Sequence, residues 1–414
     1  MVARRNWAGN VHYAARRFHE PTSVDELRRL VAGSDRLRAA GTGHSFNRFG
    51  DTTGDLVSLA GLPPDVTLDR DRSTVTVPAA LRYGDLATAL HAQGYALANL
   101  ASLPHISVAG AVATGTHGSG VRNGNLASAV AALELVTADG DLLTLDRDAD
   151  GDTFAGAVVS LGALGVVTRV TLDVVPAFTL CQYVRLGLAR EALDEALDSA
   201  YSVSIFTDWR TPLLREVWVK QHAELPPPPA GWLGTTAAET PRHPVAGLSP
   251  EHCTPQLGPP GPWHERLPHF RLGFIPSSGD ELQSEYHVPR AAGADALAAL
   301  DEVAHLIAPV LQVCELRAVA ADRLWLSPNH GRDSLAIHFT WVGDAAAVTP
   351  VVAAVEERLA PFSPRPHWGK VFGLAPAAVA AAWPRYADFL ALMVRLDPSG
   401  TFRTDLLDRY FPRP

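Results

Sequence analysis

Gly41-Thr42-Gly43-His44-Ser45-Phe46 and Ser107-Val108-Ala109-Gly110-Ala111-Val112-Ala113-Thr114-Gly115-Thr116-His117-Gly118 are the two stretches on which the fold turns. Glycine has no Cβ, so such backbone can close on a phosphate with its N–H groups free to donate. The first stretch also carries a histidine, a nucleophile beside whatever the loop holds. A Rossmann dinucleotide fingerprint needs G-x-G-x-x-G directly between a strand and a helix. Gly41-Thr42-Gly43 does not satisfy it: the sixth position is Phe46, and Asn47-Arg48-Phe49-Gly50-Asp51 starts no helical pattern. The stretches hold no P-loop lysine either. Two Gly/Thr/Ser/His loops, neither expected to open a helix, indicate a cofactor held mainly by loop backbone.

Around these loops the chain reads as mixed α and β. Ser23 and Glu26 have capping-box spacing for a helix over 22–33, with Val24, Leu27 and Leu30/Val31 on its apolar face and Gly33 closing it. Strands are expected at 36–40, 56–59, 74–77 and 164–175, and a helix at 83–93. Asp139-Gly140 between 133–137 and 142–145 signals a hairpin. Helices follow at 293–309, 348–359 and 376–394, and strands at 312–319 and 335–341. Residues 221–280 are rich in Pro, Gly and His. They read as a long ordered, lid-like insertion, because Trp232, Trp263, Phe270 and Phe274 call for burial.

Composition bounds the partners. The chain has 414 residues, 47% apolar, enough for two or three domains with a large core. A net charge of −9 argues against nucleic acid or an anionic membrane as partner. No run approaches the roughly 18 consecutive apolar residues of a membrane span, and no apolar segment of signal-peptide type follows Arg4-Arg5. Cys181, Cys253 and Cys314 are odd in number and far apart, as expected of reduced thiols in a cytoplasmic protein.

Gly41–Asn47, Ser102–Gly120, Leu161-Gly162-Ala163-Leu164-Gly165-Val166-Val167-Thr168 and His367-Trp368-Gly369-Lys370 together resemble the FAD-linked oxidases of the vanillyl-alcohol oxidase type, and within that type the alditol (xylitol) oxidases. The resemblance runs through most of the chain. It implies an α+β fold of two domains: an FAD-binding domain at 1–177, an antiparallel-sheet substrate domain at 178–366, and a segment at 367–414 returning to the FAD domain. It implies that Ala39, Ala40, Gly41, Thr42, Gly43, His44 and Ser45 wrap the FAD pyrophosphate and that His44 carries the cofactor covalently. It also places Ser102, Ser107, Gly110, Thr114, Gly115, Thr116, His117, Val167 and His367 at the flavin. Tyr95–Ala101 contains no cysteine, so a second covalent bond is not expected.

Two later segments carry a pattern of their own. In Val313–Ala318, Glu315 and Arg317 share a strand face; in Leu335–Trp341, His338 and Thr340 share one while Leu335, Ile337, Phe339 and Trp341 take the other. Such pairs usually face water. Two of them on strands expected to be neighbours point to a polar pocket. The resemblance assigns Ser102, Glu315, Arg317, Thr340 and Lys370 to the substrate, with His338 beside them; the chemistry makes His338 a candidate proton acceptor, and the sequence does not say which residue takes the proton. The implied reaction converts the C1 hydroxyl of alditols such as xylitol or sorbitol to the aldose, with O2 reduced to hydrogen peroxide. The alternative is a sugar-lactone oxidoreductase of the same superfamily. The expected partners are a small polyol and O2, for a monomeric enzyme.

Three stretches are set aside. His264-Glu265-Arg266-Leu267-Pro268-His269 has its histidines five apart and a helix-breaking Pro, so no metal is expected. Ser284-Glu285-Tyr286 and Thr207-Asp208-Trp209 read as ordinary sheet residues. His105 reads as structural.

Overall fold

Ser23 accepts a hydrogen bond from the backbone of Glu26 and starts the first helix, Val24–Ala32, whose Leu27 and Val31 are buried. This computed structural model describes residues 4–274 and 281–413. The helix lies beside a small parallel sheet in which Asp55–Ser58 is flanked by Arg17–His19 and Leu37–Ala40. Thr67–Asp69, Thr74–Pro78, Val166–Asp173, Val130–Val136 and Leu142–Asp146 form an antiparallel sheet next to it. The last two strands are the hairpin expected around Asp139-Gly140, with Gly140 at φ 80°.

The second half of the chain builds one large antiparallel sheet. Its main strands run in the order Thr179–Leu188, Leu214–His222, Ser202–Thr207, Leu311–Val319, Ser334–Val342 and Glu281–Pro289, with Arg365–Pro366 along the edge. Alternation sorts the side chains. Ile205, Leu316, Ile337, Phe339 and Trp341 point to one face, where Leu197, Leu297, Leu300, Val352 and Val355 from the covering helices pack on them. Phe339 and Trp341 stack at 4.8 Å. Burial of each such side chain contributes roughly 1.5–3 kcal/mol. The opposite face carries Glu315, Arg317, His338 and Thr340 and is turned toward the glycine loops.

A further core joins the first half to the C-terminus: Phe154, Val158 and Leu164 share it with Trp368, Trp383, Phe389 and Phe411. The chain therefore closes back on its beginning.

Several sequence expectations need correction. The second glycine stretch does open a helix, Val108–Ala113, six residues long with Ser107 before it. The helix expected at 293–309 is two, Gly293–Asp301 and Ala304–Val310, broken where Val303 leaves helical geometry (φ −111°, ψ 11°). Leu297, Leu300, Val303 and Ile307 are buried all the same. The helix expected at 376–394 divides into Pro376–Ala382 and Tyr386–Leu396. Pro384 forces Trp383 into an extended conformation and ends the first piece. Arg147–Val158, capped by Asp146, and Asp405–Tyr410, capped by Thr404, are helices that the apolar pattern does not announce. In the insertion Trp263 is fully buried, whereas Trp232, Phe270 and Phe274 are half-buried.

Candidate active site

The polar face of the large sheet is a row of charges in register. Glu285 pairs directly with His338, and His338 with Glu315, across three adjacent strands. These groups line a cavity of about 410 Å³ together with Arg317, Thr340, Lys370 and His367. Glu285, Glu315, Arg317 and Thr340 are all less than 10% exposed. The polar pairs therefore face inward rather than to water.

Two buried ion-pair clusters divide this face. In the first, Arg317 Nε donates to Glu315 Oε1 at 2.5 Å and its Nη2 to Glu315 Oε2 and to Ser102 Oγ. Burial alone would raise the Glu315 carboxyl, but Arg317 and His269 hold it well below the ordinary carboxylate range. In the second, Glu285 Oε2 accepts from Lys370 Nζ at 2.7 Å, and Glu285 Oε1 accepts from His117 Nε2 at 2.7 Å and lies 3.2 Å from His287 Nε2. Here too burial opposes ionisation, while Lys370 and His117 keep Glu285 well below its ordinary value.

His338 connects the two clusters. Its Nδ1 accepts from Lys370 Nζ at 2.8 Å, and its Nε2 lies 3.1 Å from Thr340 Oγ1. Burial, helped by the Lys370 cation, lowers its pKa to about 4, so the imidazole is neutral at pH 7. Lys370 gives two of its three N–H groups to Glu285 and His338 and keeps one for the cavity.

The facing wall is the pair of glycine loops. A Cβ at Gly41 would sit 2.4 Å from Ser107 Oγ and one at Gly110 2.8 Å from the same oxygen, so a side chain at either would force that hydroxyl to turn away. Ser107 N donates to Thr42 Oγ1 at 3.2 Å, which ties the two loops together. His44 stacks on Trp7 at 5.3 Å and places Nδ1 2.9 Å from Thr42 Oγ1. Its Nε2 is buried with no partner. Burial, with a contribution from His105, lowers the His44 pKa to about 4. Behind the loop, Arg38 is held by the carbonyls of Leu161, Gly162 and Phe402, and its Nε is also buried without a partner. These features fit FAD: glycine backbone cleared for a pyrophosphate, an unpaired donor on a buried cation, and a neutral imidazole nitrogen with nothing to bind.

Most residues named from sequence meet at this cavity. Ala39, Ala40, Thr42, Gly43, Ser45, Ser102, Thr114, Thr116, His117 and Val167 belong to its wall. His367 reaches Thr116 Oγ1 at 3.4 Å, and its Nδ1 accepts from Gly369 N. Gly115 is not part of the wall; it turns the chain at φ 65° after the short helix. His105 also lies off the wall, with Nε2 2.7 Å from the Leu272 carbonyl.

Two groups were set aside wrongly. Glu285 is no ordinary sheet residue but the hub of the Lys370 cluster. Its strand reads Gln283-Ser284-Glu285-Tyr286-His287, in which Ser284 turns to the helix side and accepts from Trp341 Nε1. Glu281, Gln283, Glu285 and His287 alternate with Leu282, Tyr286 and Val288, so a polar face is legible in the sequence, and Ser284 alone breaks the pattern. His269, from the rejected zinc-like stretch, lines the cavity and contacts Glu315 Oε1 at 2.7 Å. His243, Val245 and Leu248 bring the insertion to the mouth. The residues at 275–280, the end of that insertion, lie outside the described ones.

A glycine-loop wall facing a polar antiparallel sheet across one cavity is the architecture of FAD-dependent enzymes of the vanillyl-alcohol oxidase type. A family model described as an FAD binding domain matches residues 15–146, and one described as D-arabinono-1,4-lactone oxidase matches residues 280–410. An alditol oxidase from a Streptomyces species is 54% identical over 413 residues, covering 97% of this chain and 98% of the relative. The chain belongs to the alditol oxidase family. An L-gulono-1,4-lactone dehydrogenase from Mycobacterium tuberculosis is 32% identical over 98% of each chain. Among solved structures, cholesterol oxidase from B. sterolicum has the same fold, with a TM-score of 0.77 at 14% identity over 99% of this chain and 96% of that one. No helix among the described residues is long and apolar enough to cross a membrane.

Proposed function

We propose that this protein oxidises the terminal C1 hydroxyl of alditols such as xylitol and sorbitol to the aldose. The observation that carries this reading is the row Glu285–His338–Glu315, buried and flanked by Arg317 and Lys370, across the cavity from the glycine loops. FAD, when bound, would supply the two-electron acceptor, with O2 as the final oxidant and hydrogen peroxide as its product. The chain's own residues do the rest. Arg317 and Lys370 present cationic N–H groups that favour alkoxide character on the reacting oxygen. Lys370 first releases a proton to Nδ1 of His338, which leaves a neutral amine that takes the hydroxyl proton and is a cation again, and the resulting imidazolium lies 3.3 Å from Glu285 Oε2. Glu315, Ser102 and Thr340 hydrogen-bond the further hydroxyls, which selects a polyol over a simple alcohol. Residues 1–177 with 367–414 form the FAD domain in this reading, and 178–366 the substrate domain.

The lactone reading has two observations in its favour, the lactone-oxidase family model over residues 280–410 and the 32% identical L-gulono-1,4-lactone dehydrogenase. Turnover on xylitol and on L-gulono-1,4-lactone, followed by peroxide formation under air, separates the two. Xylitol is expected to have the higher kcat/KM; a preference for the lactone would overturn the alditol assignment.

We further propose that His44 anchors FAD covalently. The support is its neutral, unpartnered Nε2 beside the loop that clears the pyrophosphate. After acid precipitation the yellow colour should remain in the protein pellet. In His44→Ala the pellet should be colourless and the native protein should retain less flavin. A colourless wild-type pellet would remove the covalent claim.

A further inference from the structure

Behind Glu315 lies another layer of buried polar groups. Lys220, on the Leu214–His222 strand, is 1% exposed. Its Nζ donates to the Leu267 carbonyl at 2.5 Å and lies 3.4 Å from the Pro268 carbonyl and 3.1 Å from Nδ1 of His269. His269 stands between Lys220 and Glu315, with Nε2 2.7 Å from Glu315 Oε1. The indole of Trp218 and the ring of Phe206 box the imidazole at 4.9 and 5.7 Å, edge against face, and hold its plane.

A proton inventory decides the direction of these bonds. Both oxygens of Glu315 accept from Arg317, so the group is a carboxylate with no proton to give. A 2.7 Å contact with that carboxylate requires a proton on His269 Nε2. Burial and the neighbouring Lys220 push His269 down to about 3, so its ring carries one proton at pH 7, and Nδ1 must accept. Lys220 faces Nδ1 and two carbonyls, and neither carbonyl can donate. Were Nδ1 to donate to a neutral Lys220, Nε2 would have to face the carboxylate as an acceptor. Lys220 is therefore the donor whichever charge it carries.

We infer that Lys220 is a positioning residue for the oxidation: by donating to His269 Nδ1 it holds the imidazole as the Nε2–H tautomer, which in turn orients Glu315 against Arg317. This rests on the reading of Glu315 and Arg317 as substrate contacts. The aromatic box sets the plane of the ring, and Lys220 sets which nitrogen carries the proton. Without Lys220 the tautomer is left to the two contacts of Nε2: the Glu315 carboxylate at 2.7 Å, which needs a proton there, and Arg317 Nη2 at 3.3 Å, which needs a lone pair there and is met by the Nδ1–H form.

The test is long-range 1H–15N spectroscopy of the [15N]histidine-labelled flavin-loaded enzyme, with the His269 signal assigned by its loss in His269→Gln. The wild-type protein is expected to show His269 as the Nε2–H tautomer at neutral pH. Lys220→Met is expected to show a mixed or Nδ1–H tautomer. Its kcat/KM on xylitol should fall about tenfold, and its pH profile should show a second loss on the acid side as Glu315, short of a donor, protonates at a higher pH than in the wild type. An Nδ1–H tautomer in the wild-type enzyme would overturn the inference, even if Lys220→Met did not fold. So would a Lys220→Met enzyme that kept both tautomer and pH profile. The tautomer is read without substrate, so a failure of the alditol assignment leaves that result standing.

Discussion

Arg317→Ala should lower turnover on xylitol about 10²–10³-fold while FAD stays bound. Arg317 contacts Glu315 on the sheet and Ser102 in the loop before the second glycine stretch, and none of these bonds reaches Gly41–Ser45. The substitution removes a cation aimed at the reacting oxygen. It also strips Glu315 of its bidentate partner and leaves a buried carboxylate with His269 for support. Breaking a buried ion pair from one side costs about 3–5 kcal/mol, so the melting temperature should fall as well. The sign with pH follows from Glu315. Its folded pKa is held below the unfolded value, so the pair's contribution is present above that unfolded value of about 4.3 and is lost as pH falls through the folded pKa. In Arg317→Ala the folded pKa rises and acid lability begins at a higher pH. Arg317→Lys keeps the charge but loses the fork and should be intermediate. Flavin content, kcat and thermal melts together separate the chemical loss from unfolding. Near-wild-type turnover in Arg317→Ala would sink the assignment.

Glu285→Gln is the second large effect, expected to lower kcat about 10²-fold. The amide matches the carboxylate in shape but meets donors on both sides: Lys370 Nζ at one oxygen, His117 and His287 at the other. With its NH2 toward Lys370 it faces an N–H, and with its NH2 toward His117 that ring must give up its Nε2 proton and keep the one on Nδ1, which lies 2.8 Å from the Gly118 carbonyl. The pH profile distinguishes this from a general structural defect. Activity needs neutral His338, so the acid limb of the wild-type enzyme should lie near its pKa of about 4. Activity also needs charged Lys370, whose pKa is lowered chiefly by burial and supported by Glu285. Loss of the Glu285 charge lowers both pKa values, so both limbs should move to lower pH in the variant. A variant within about threefold of wild type, with an unmoved profile, would show that Glu285 merely fills space.

The parts legible in the sequence were those with a local physical signature. Glycine stretches show where backbone must approach something closely, and a Cβ at Gly41 or Gly110 would crowd Ser107 Oγ. Strict alternation in Leu335–Trp341 shows which side chains share a face, and the apolar set is buried against helices. Burial of the polar set was an inference from two matching pairs, and the direct register of Glu315 with His338 bears it out. Helix interruptions were harder to read, because the apolar face continues unbroken through Val303 while the backbone does not.

Residues without such a signature, or with one that names no partner, became visible in the tertiary structure. Glu285 shares an alternating polar strand face with Gln283 and His287 that does not say which charge it meets, His269 follows a proline in a loop, and Lys220 looks like any strand lysine. Each acquires its role from a partner far along the chain: Glu285 from His117 and Lys370, His269 from Glu315, Lys220 from His269. The sequence by itself determined where glycine backbone lines the cavity and which strand faces are polar, since both follow from glycine sterics and a two-residue period. Only the tertiary structure decided which charges meet. Ionisation in a buried site depends on partners within a few ångströms, and those partners come from strands and loops that the chain order keeps apart.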